Sequence, residues 1–443
     1  MKAGNAAGAK GANQAVVLTF NWKQEETMST TKSYAIDKWR VYEAYLAIKA
    51  NAGAAGVDKQ TIEYFEKDLK DNLYKIWNRM SSGCYFPPAV KAVPIPKKSG
   101  GQRILGIPTV ADRIAQMVVK MQIEPELEAK FLADSYGYRP GKSALDAVGI
   151  TRARCWQYDW VLEFDIKGLF DNIDHELLLR ALEKDVRCDW ATLYIKRWLM
   201  APMQGVDGTQ IERNRGTPQG GVISPLLANL FLHYVFDVWM GKHYPNNPWC
   251  RYADDGLVHC RTEQEALAIR AALDGRFSEC QLQMHPDKTK IVYCKDGKRR
   301  RNYPVIKFDF LGYTFRPRKV KSKKYRGLFV SFTPAVSQQA LKSMRQTTRR
   351  LSYRNLTELS LTDIAKRHNP ILRGWLAYYG KFRRSAMHTI FRHFDETLKA
   401  WAMKKYRKLK YCKTCATKFL ERIEKKHPRL FVHWQERLAH RIA

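Results

Sequence analysis

Three carboxylates carry the first hint of chemistry in a chain that is otherwise basic. Asp254 and Asp255 are adjacent in RYADDGLVHC (251–260), flanked by apolar or aromatic residues and followed by a glycine. Asp165 lies near the end of the apolar run VLEFDI (161–166). Two like charges side by side in a half-buried strand repel, at a cost on the order of several kcal/mol unless something positive sits on them. Three carboxylates on neighbouring strands could hold two divalent cations about 3.5–4 Å apart, the arrangement used for in-line phosphoryl transfer. Magnesium fits such an all-oxygen site and shares its shell with substrate phosphates and water. A lone Asp is usually a turn residue or a cap, a poorer explanation for a pair inside an apolar strand.

The elements that would position these residues follow from periodicity and punctuation. Residues 37–80 carry apolar residues at helical spacing, broken by the loop NAGAAG (51–56). Residues 90–108 read as two short strands around a KKSGG turn, with a helix following to about Lys130. A strand is expected over 161–166, a helix over 176–184, and a tight loop over 216–221 feeding an apolar helix from Ser224 to about Met240. Residues 250–260 read as a strand pair with Asp254 and Asp255 at its turn. A helix over 266–280 and strands over 290–294 and 307–315 come next, and everything from Pro334 onward reads as basic helix. Alternating strands and helices followed by helices alone indicate an α+β body with an α-helical appendage.

Charge separates the two parts. Of 443 residues, the first 315 hold 44 Lys+Arg against 36 Asp+Glu, whereas residues 316–443 hold 33 against 7. A segment with a net charge of +26 repels itself unless a polyanion is its usual partner, and nucleic acid is the leading candidate. An anionic membrane surface is the lesser one, since no apolar run reaches the ~18 residues that span a bilayer. The nine cysteines are odd in number and unevenly spaced, which suggests free thiols in a reducing compartment. The single CxxC, Cys412 and Cys415, reads as two small residues on a basic helix; with His427 and His433 it would be a zinc site.

The blocks FDIKGLFDNIDHELL (164–178), RGTPQGGVISPLLANLFL (215–232), RYADDGLVHC (251–260), LQMHPDKTKIVYC (282–294) and FDFLGYTF (308–315) occur in that order. Together they resemble the successive palm motifs of reverse transcriptases, and TPQGG followed by ISPLLANL resembles the group II intron lineage. PIPKKSGGQRILGIPTVADRIAQ (94–116) is similar to that lineage's fingers motif, and RHNPILRGWLAYYGKF (367–382) to its maturase or thumb region. The resemblance spans roughly residues 35–440. It implies a right-hand polymerase fold divided into a disordered tail (1–34), an N-terminal helical extension (35–89), fingers and palm (90–320) and a basic helical thumb/maturase domain (321–443).

The resemblance also implies roles. Asp165, Asp254 and Asp255 match the metal-binding carboxylates, with the Ile166 carbonyl as a further ligand of two Mg²⁺, which Mn²⁺ could replace. Lys97 and Arg103 match the pair that grips the incoming triphosphate. Phe170 matches the bulky residue set against the sugar 2′ position, although it reads equally as a core aromatic. Gln219 lies in the loop facing the nascent base pair. Lys288, with Lys290 two residues on as a rival, matches the proposed proton donor to pyrophosphate. In 367–394, aromatics alternate with basic residues, and Arg367, Arg373, Lys381, Arg383 and Arg384 are the expected RNA contacts.

The expected partners are group II intron RNA, an RNA template with a DNA primer, and deoxynucleotides, in a bacterial cytoplasm beside the nucleoid. Since the chain stops near the end of the maturase region with one CxxC, no endonuclease is expected. Met28 is an alternative start. Two other readings remain open: a splicing cofactor with an idle polymerase site, and a host-adopted reverse transcriptase serving defence or repair.

Overall fold

The computed structural model describes residues 32–96, 100–321 and 327–436. The expected tail therefore lies almost wholly outside the described residues, as does Lys97. The N-terminal extension is helical, with α1 (Lys38–Asn51), α2 (Ile62–Phe65) and α3 (Leu69–Ser81). β1 (Val90–Pro96) and β2 (Gln102–Ile107) form the expected hairpin, followed by α4 (Val110–Glu128). Next come α5 (Ala144–Cys155), β3 (Trp160–Asp165), α6 (Leu169–Asn172), α7 (His175–Asp185), α8 (Asp189–Met200), β4 (Met203–Gln204) and β5 (Gln210–Ile211). The apolar run after Ser224 gives α9 (Ser224–Leu232) and α10 (Val238–His243), joined by a wide π turn over His233–Asp237. β6 (Trp249–Tyr252), β7 (Asp255–Cys260), α11 (Glu263–Glu279) and β8 (Lys290–Tyr293) complete the central body. β9 (Phe308–Phe310), β10 (Tyr313–Lys321) and β11 (Leu328–Val336) lead into α12 (Gln338–Arg350), α13 (Leu361–Tyr379), α14 (His388–Lys405) and α15 (Lys413–Lys426).

Three sheets organise these elements: β2-β1-β4-β5 in the fingers, β6-β7-β3-β8 in the palm, and β11-β10-β9 at the base of the thumb. Alternation along the palm strands splits their side chains between two layers. Trp160, Leu162, Phe164 and Val258 join a large core with α4, α9 and α11, whereas Val161 and Leu257 share a second core with α5 and β9 to β11. Asp165 and Asp255 stand in phase with Val161 and Leu257, so the carboxylates rise from the layer that faces α5 and the thumb hairpin. The thumb helices have a core of their own around Phe391, Phe394, Trp401 and Trp434.

Four expectations need correcting. Residues 307–315 are not one strand, because Leu311 (φ 50°) and Gly312 (φ 79°) turn the chain back between β9 and β10. Helix does not begin at Pro334, since β11 runs through it to Val336; the 320/321 boundary accordingly falls at the end of β10, inside a hairpin. Asp255 is the first residue of β7 and not a turn residue. Cys412 and Cys415 are joined in a disulfide at the start of α15, where i,i+3 spacing brings their sulfurs together, leaving seven free cysteines among the described residues. His433 bonds Asp395 at 2.8 Å inside the thumb core and takes no part in a CxxC metal site.

The thumb core also contains a basic group without its charge. His368 is fully buried, stacks on Phe394 at 3.9 Å, and neither of its ring nitrogens has a partner. Burial first, then the neighbouring His433, drops its pKa to about 3. The unfolded chain thus binds more protons between about pH 6.5 and 3, and this contribution to stability, complete above 6.5, is lost as the pH falls. Going from pH 7.5 to pH 5 should cost about 2 kcal/mol through this residue. His368→Phe keeps the stacked ring and should remove that share of the acid sensitivity in parallel denaturant titrations; an unchanged pH dependence would refute the assignment.

Candidate active site

β3 and β7 pair antiparallel with Asp165 opposite Asp255, and the β6–β7 hairpin turns through Ala253 and Asp254. The turn requires Ala253 in the left-handed region (φ 56°). Ile166 N–H donates to the Asp254 carbonyl (3.2 Å), which ties the end of β3 to this turn. Next to the pair, Gly256 lies under the Phe164 ring, where a Cβ would come within 2.1 Å of a ring carbon. The glycine of YADDG is thus set by the aromatic one place before Asp165, which pairs with it next to the register pair of aspartates, and any side chain there would push the carboxylate strands apart.

The turn is anchored from below by Arg251, which is 1% exposed. Its guanidinium grips Asp237 through two bonds (2.7 and 2.6 Å), and also donates to Ser135 Oγ (2.8 Å), Asn229 Oδ1 (3.1 Å) and the Ala253 carbonyl (3.3 Å). Asp237 comes from the π turn between α9 and α10, a local widening of the kind that often marks functional sites. Sequence reasoning passed over this residue, although an Arg in an apolar strand three positions before the pair was the available signal.

Electrostatically the site is short of positive charge. Burial, then Asp254 and Asp165, pushes the Asp255 carboxyl up to about 8. Burial and then Asp165 also raise Asp254. Lys288 supplies the nearest compensation, with Nζ 2.6 Å from Asp165 Oδ2. Burial disfavours its charge, but the bond to Asp165 together with the charges of Asp165, Asp255 and Asp254 outweighs this, and the ammonium is held above the ordinary lysine value. Lys290 stands opposite Glu163 in the β3/β8 register and lines the same cleft of about 230 Å³, with Asp165, Asp255, Lys288 and Asp309. As they stand, no three His, Cys, Asp or Glu side chains among the described residues are close enough to cage an ion. The donor set still suits a divalent cation: hard oxygens, crowded enough that two of the three acids resist ionising alone.

The remaining expected residues fall around this centre. Phe170 is half-buried, packed partly on the large core and edge-on to Tyr138 at 6.4 Å. Tyr138 is half-exposed and lies within electrostatic reach of both Asp254 and Arg103, which places exposed Arg103 on the site side of β2. The loop over 216–221 is held on two sides: Thr217 N–H donates to the Phe170 carbonyl (2.7 Å), and Gly106 N–H to the Gln219 carbonyl (2.9 Å). The Gln219 amide lies 3.3 Å from Asp171. Behind the loop, Gln116 Oε1 accepts from Val222 N–H (2.8 Å), and its amide donates to buried Asp112 (2.9 Å), a connection the sequence did not reveal.

The thumb docks through α13. Tyr378 OH donates to the Leu311 carbonyl (2.9 Å), Tyr313 OH donates to the Tyr378 carbonyl, and Tyr379 covers Gly312, where a Cβ would meet its ring at 3.1 Å. Arg367, Arg373 and Lys381 are exposed. Arg383 donates to the Lys319 carbonyl, and Arg384 pairs with Glu436 (2.6 Å).

A palm sheet carrying an acidic hairpin, antiparallel fingers above it and a helical thumb behind define a polymerase of the right-hand class. Residues 95–315 match the reverse transcriptase (RNA-dependent DNA polymerase) family, and residues 341–420 match the group II intron maturase-specific domain. The chain is 30% identical over 305 residues to protein YkfC of Escherichia coli, covering 59% of this chain and 78% of that protein. It is 34% identical over 196 residues to the group II intron-encoded protein LtrA of Lactococcus lactis, covering 43% of this chain and 32% of LtrA. A "Putative COX1/OXI3 intron 1 protein" of Saccharomyces cerevisiae is 29% identical over 271 residues, 60% of this chain and 32% of its own length. The chain belongs to the group II intron reverse transcriptases with a maturase domain, a family that acts in intron splicing and mobility and uses divalent metal ions. No helix among the described residues is long and apolar enough to cross a membrane.

Proposed function

We propose that this chain copies RNA into DNA at the β6–β7 hairpin and grips group II intron RNA with its thumb, assisting splicing. The observation that carries the reading is the Asp165/Asp255 register pair with Asp254 on the adjoining turn, crowded and counter-charged by Lys288. Asp165, Asp254, Asp255 and the Ile166 carbonyl would hold two Mg²⁺, with Mn²⁺ as a substitute. Bound there, the ions supply the charge that acidifies a primer 3′-hydroxyl and offsets that on the departing pyrophosphate.

The chain's own residues orient the reactants. Arg103, with Lys97 ahead of it, offers donors to the triphosphate from the fingers. The loop around Gln219 sets the floor for the base pair, its backbone fixed from both sides by Phe170 and Gly106. Lys288, bonded to Asp165, lies beside the carboxylates, where it would give a proton to the leaving group. Arg367, Arg373, Lys381, Arg383 and Arg384 would contact RNA on the thumb, in a bacterial cytoplasm near the nucleoid.

Primer extension on a primed RNA, with Mg²⁺ and with chelator, tests the activity; no extension under either condition would refute it. Phe170→Ala tests the sugar gate. Removing the ring should raise ribonucleotide use relative to deoxynucleotide use by about 10- to 100-fold. An unchanged ratio would make Phe170 a packing residue only.

A further inference from the structure

The loop over 216–221 is fastened at its start, middle and end, and the first fastener reaches the turn that carries Phe170. After β3 the chain runs through the single turn of α6 into α7, which begins at His175 with Asp174 as its cap, accepting from Leu177 N–H (2.8 Å). His175 is half-buried there, and its Nε2 lies 2.7 Å from the Gly216 carbonyl oxygen. Gly216 N–H donates to the Ile173 carbonyl (2.7 Å), and Asp174 bridges Arg215 in antiparallel register. Gly216 has no room to spare. Its φ is 77°, and a Cβ would come within 2.7 Å of the Phe170 carbonyl oxygen and 2.8 Å of that of Asp171. Thr217 N–H donates to the same Phe170 carbonyl (2.7 Å). The loop therefore starts pressed onto the backbone of the α6 turn, with His175 on the Gly216 carbonyl.

The other fasteners come from elsewhere in the molecule. Gln116 on α4 accepts from Val222 N–H and is itself held by Asp112, whose other oxygen accepts from Tyr85 OH (2.9 Å) and Trp198 Nε1 (2.7 Å). All four side chains are buried, so the end of the loop is tied to the core around α4 and α8. In the middle, Gln219 and Gly220 lie against Gly106 of β2. Core and fingers thus fix the end and middle of the loop, and the His175 end fixes it relative to Phe170. Burial holds the imidazole below the ordinary histidine value against the opposing pull of the Gly216 bond, so the ring is neutral at pH 7. A carbonyl can only accept, which puts the ring's one hydrogen on Nε2 and makes His175 the donor.

We propose that His175 is a positioning residue of the polymerase site, whose Nε2–H ties the Gly216 carbonyl to the start of α7 so that the base-pair loop and the Phe170 ring keep one spacing. The role rests on the assignment of Phe170 to the sugar and of the Gln219 loop to the base pair. His175 acts through the backbone of the loop. Without its donor, Gly216 keeps the bond to Ile173 and Thr217 the bond to Phe170, so the loop is loosened and not lost. A nucleotide between loop and ring then meets a wider slot. That costs affinity for the deoxynucleotide before it costs chemistry, and it admits a 2′-hydroxyl more readily.

The test compares His175→Phe, which keeps a flat ring and removes the donor, with His175→Gln, whose amide nitrogen lies as many bonds from Cβ as Nε2 does. In single-nucleotide incorporation on a primed RNA, His175→Phe should raise KM for the deoxynucleotide about tenfold and leave kcat within about threefold. Ribonucleotide use relative to deoxynucleotide use should rise about three- to tenfold. His175→Gln should recover most of both. Combined with Phe170→Ala, His175→Phe should add nothing further to the sugar ratio, since the two act on one spacing. Amide hydrogen exchange over 212–223 in the free chain needs no activity, and His175→Phe should speed it about tenfold while α4 and the thumb exchange as in the parent. A parent that extends no primer would sink the polymerase reading, and a Phe170→Ala variant with an unchanged sugar ratio would sink the gate. In the first case exchange still judges the tie, and in the second exchange and KM do. Unchanged exchange in His175→Phe overturns the proposal. Faster exchange in an active chain whose KM stays at the parent's also overturns it, since His175 would then be structural only.

Discussion

Asp254→Asn should lower deoxynucleotide incorporation by at least about a thousandfold, the loss expected when a ligand of a two-metal centre goes. RNA affinity in the same variant should stay near that of the parent, because the arginines and aromatics invoked for RNA lie on other elements. The fold should gain from the change. Burial and Asp165 already raise the Asp254 carboxyl above its ordinary range, so the charged form is held against its preference. Removing that charge should raise the melting temperature, by about 1 °C for each kcal/mol gained in a chain of this size. An active site that costs stability shows this opposite movement of activity and melting. Incorporation within tenfold of the parent would end the metal assignment. A lower melting temperature would show that Asp254 is structural.

The second large effect lies beneath the turn. Arg251→Met should destabilise the chain by about 3–5 kcal/mol, because Asp237 then keeps a buried charge with no partner. Asp237 is fully buried and within 2.6 Å of the guanidinium, with no solvent to take over. The double variant Arg251→Met with Asp237→Leu should regain most of that loss, since replacing both members of a buried pair by apolar residues is often neutral. Restored stability need not restore polymerisation, because the Ala253 carbonyl would still have lost the donor that shapes the turn. Denaturant unfolding of the three variants measures the first part, and single-turnover incorporation the second. A single-variant loss below about 1 kcal/mol would mean the pair is not what holds the hairpin.

Local pattern was a good guide wherever a residue's surroundings are its own neighbours in the chain. The β1–β2 hairpin, the α4 and α11 helices, and β3 and β8 appear within a few residues of where alternation and punctuation put them. The reading failed where long-range pairing decides the outcome. Nothing local separates β9 from β10 except Gly312, whose left-handed turn matters because Tyr379 of the thumb closes over it. β11 runs through Pro334 because it has β10 beside it, and its partner outweighs the proline's local bias. The helices α5 and α8 were not placed at all.

The order of the five palm blocks, the carboxylate pair and the division of charge were properties of the sequence by itself. They named the family and the residues proposed here to meet the metals, because catalytic side chains must sit at fixed places in a motif whatever surrounds them. Tertiary structure alone decided what makes those residues usable. It set Asp165 opposite Asp255 across ninety residues of chain, gave Lys288 to the acids as their counter-charge, and buried Arg251 under the turn. Each of these depends on which surfaces pack together, and burial converts that packing into the shifted charges on which the chemistry rests.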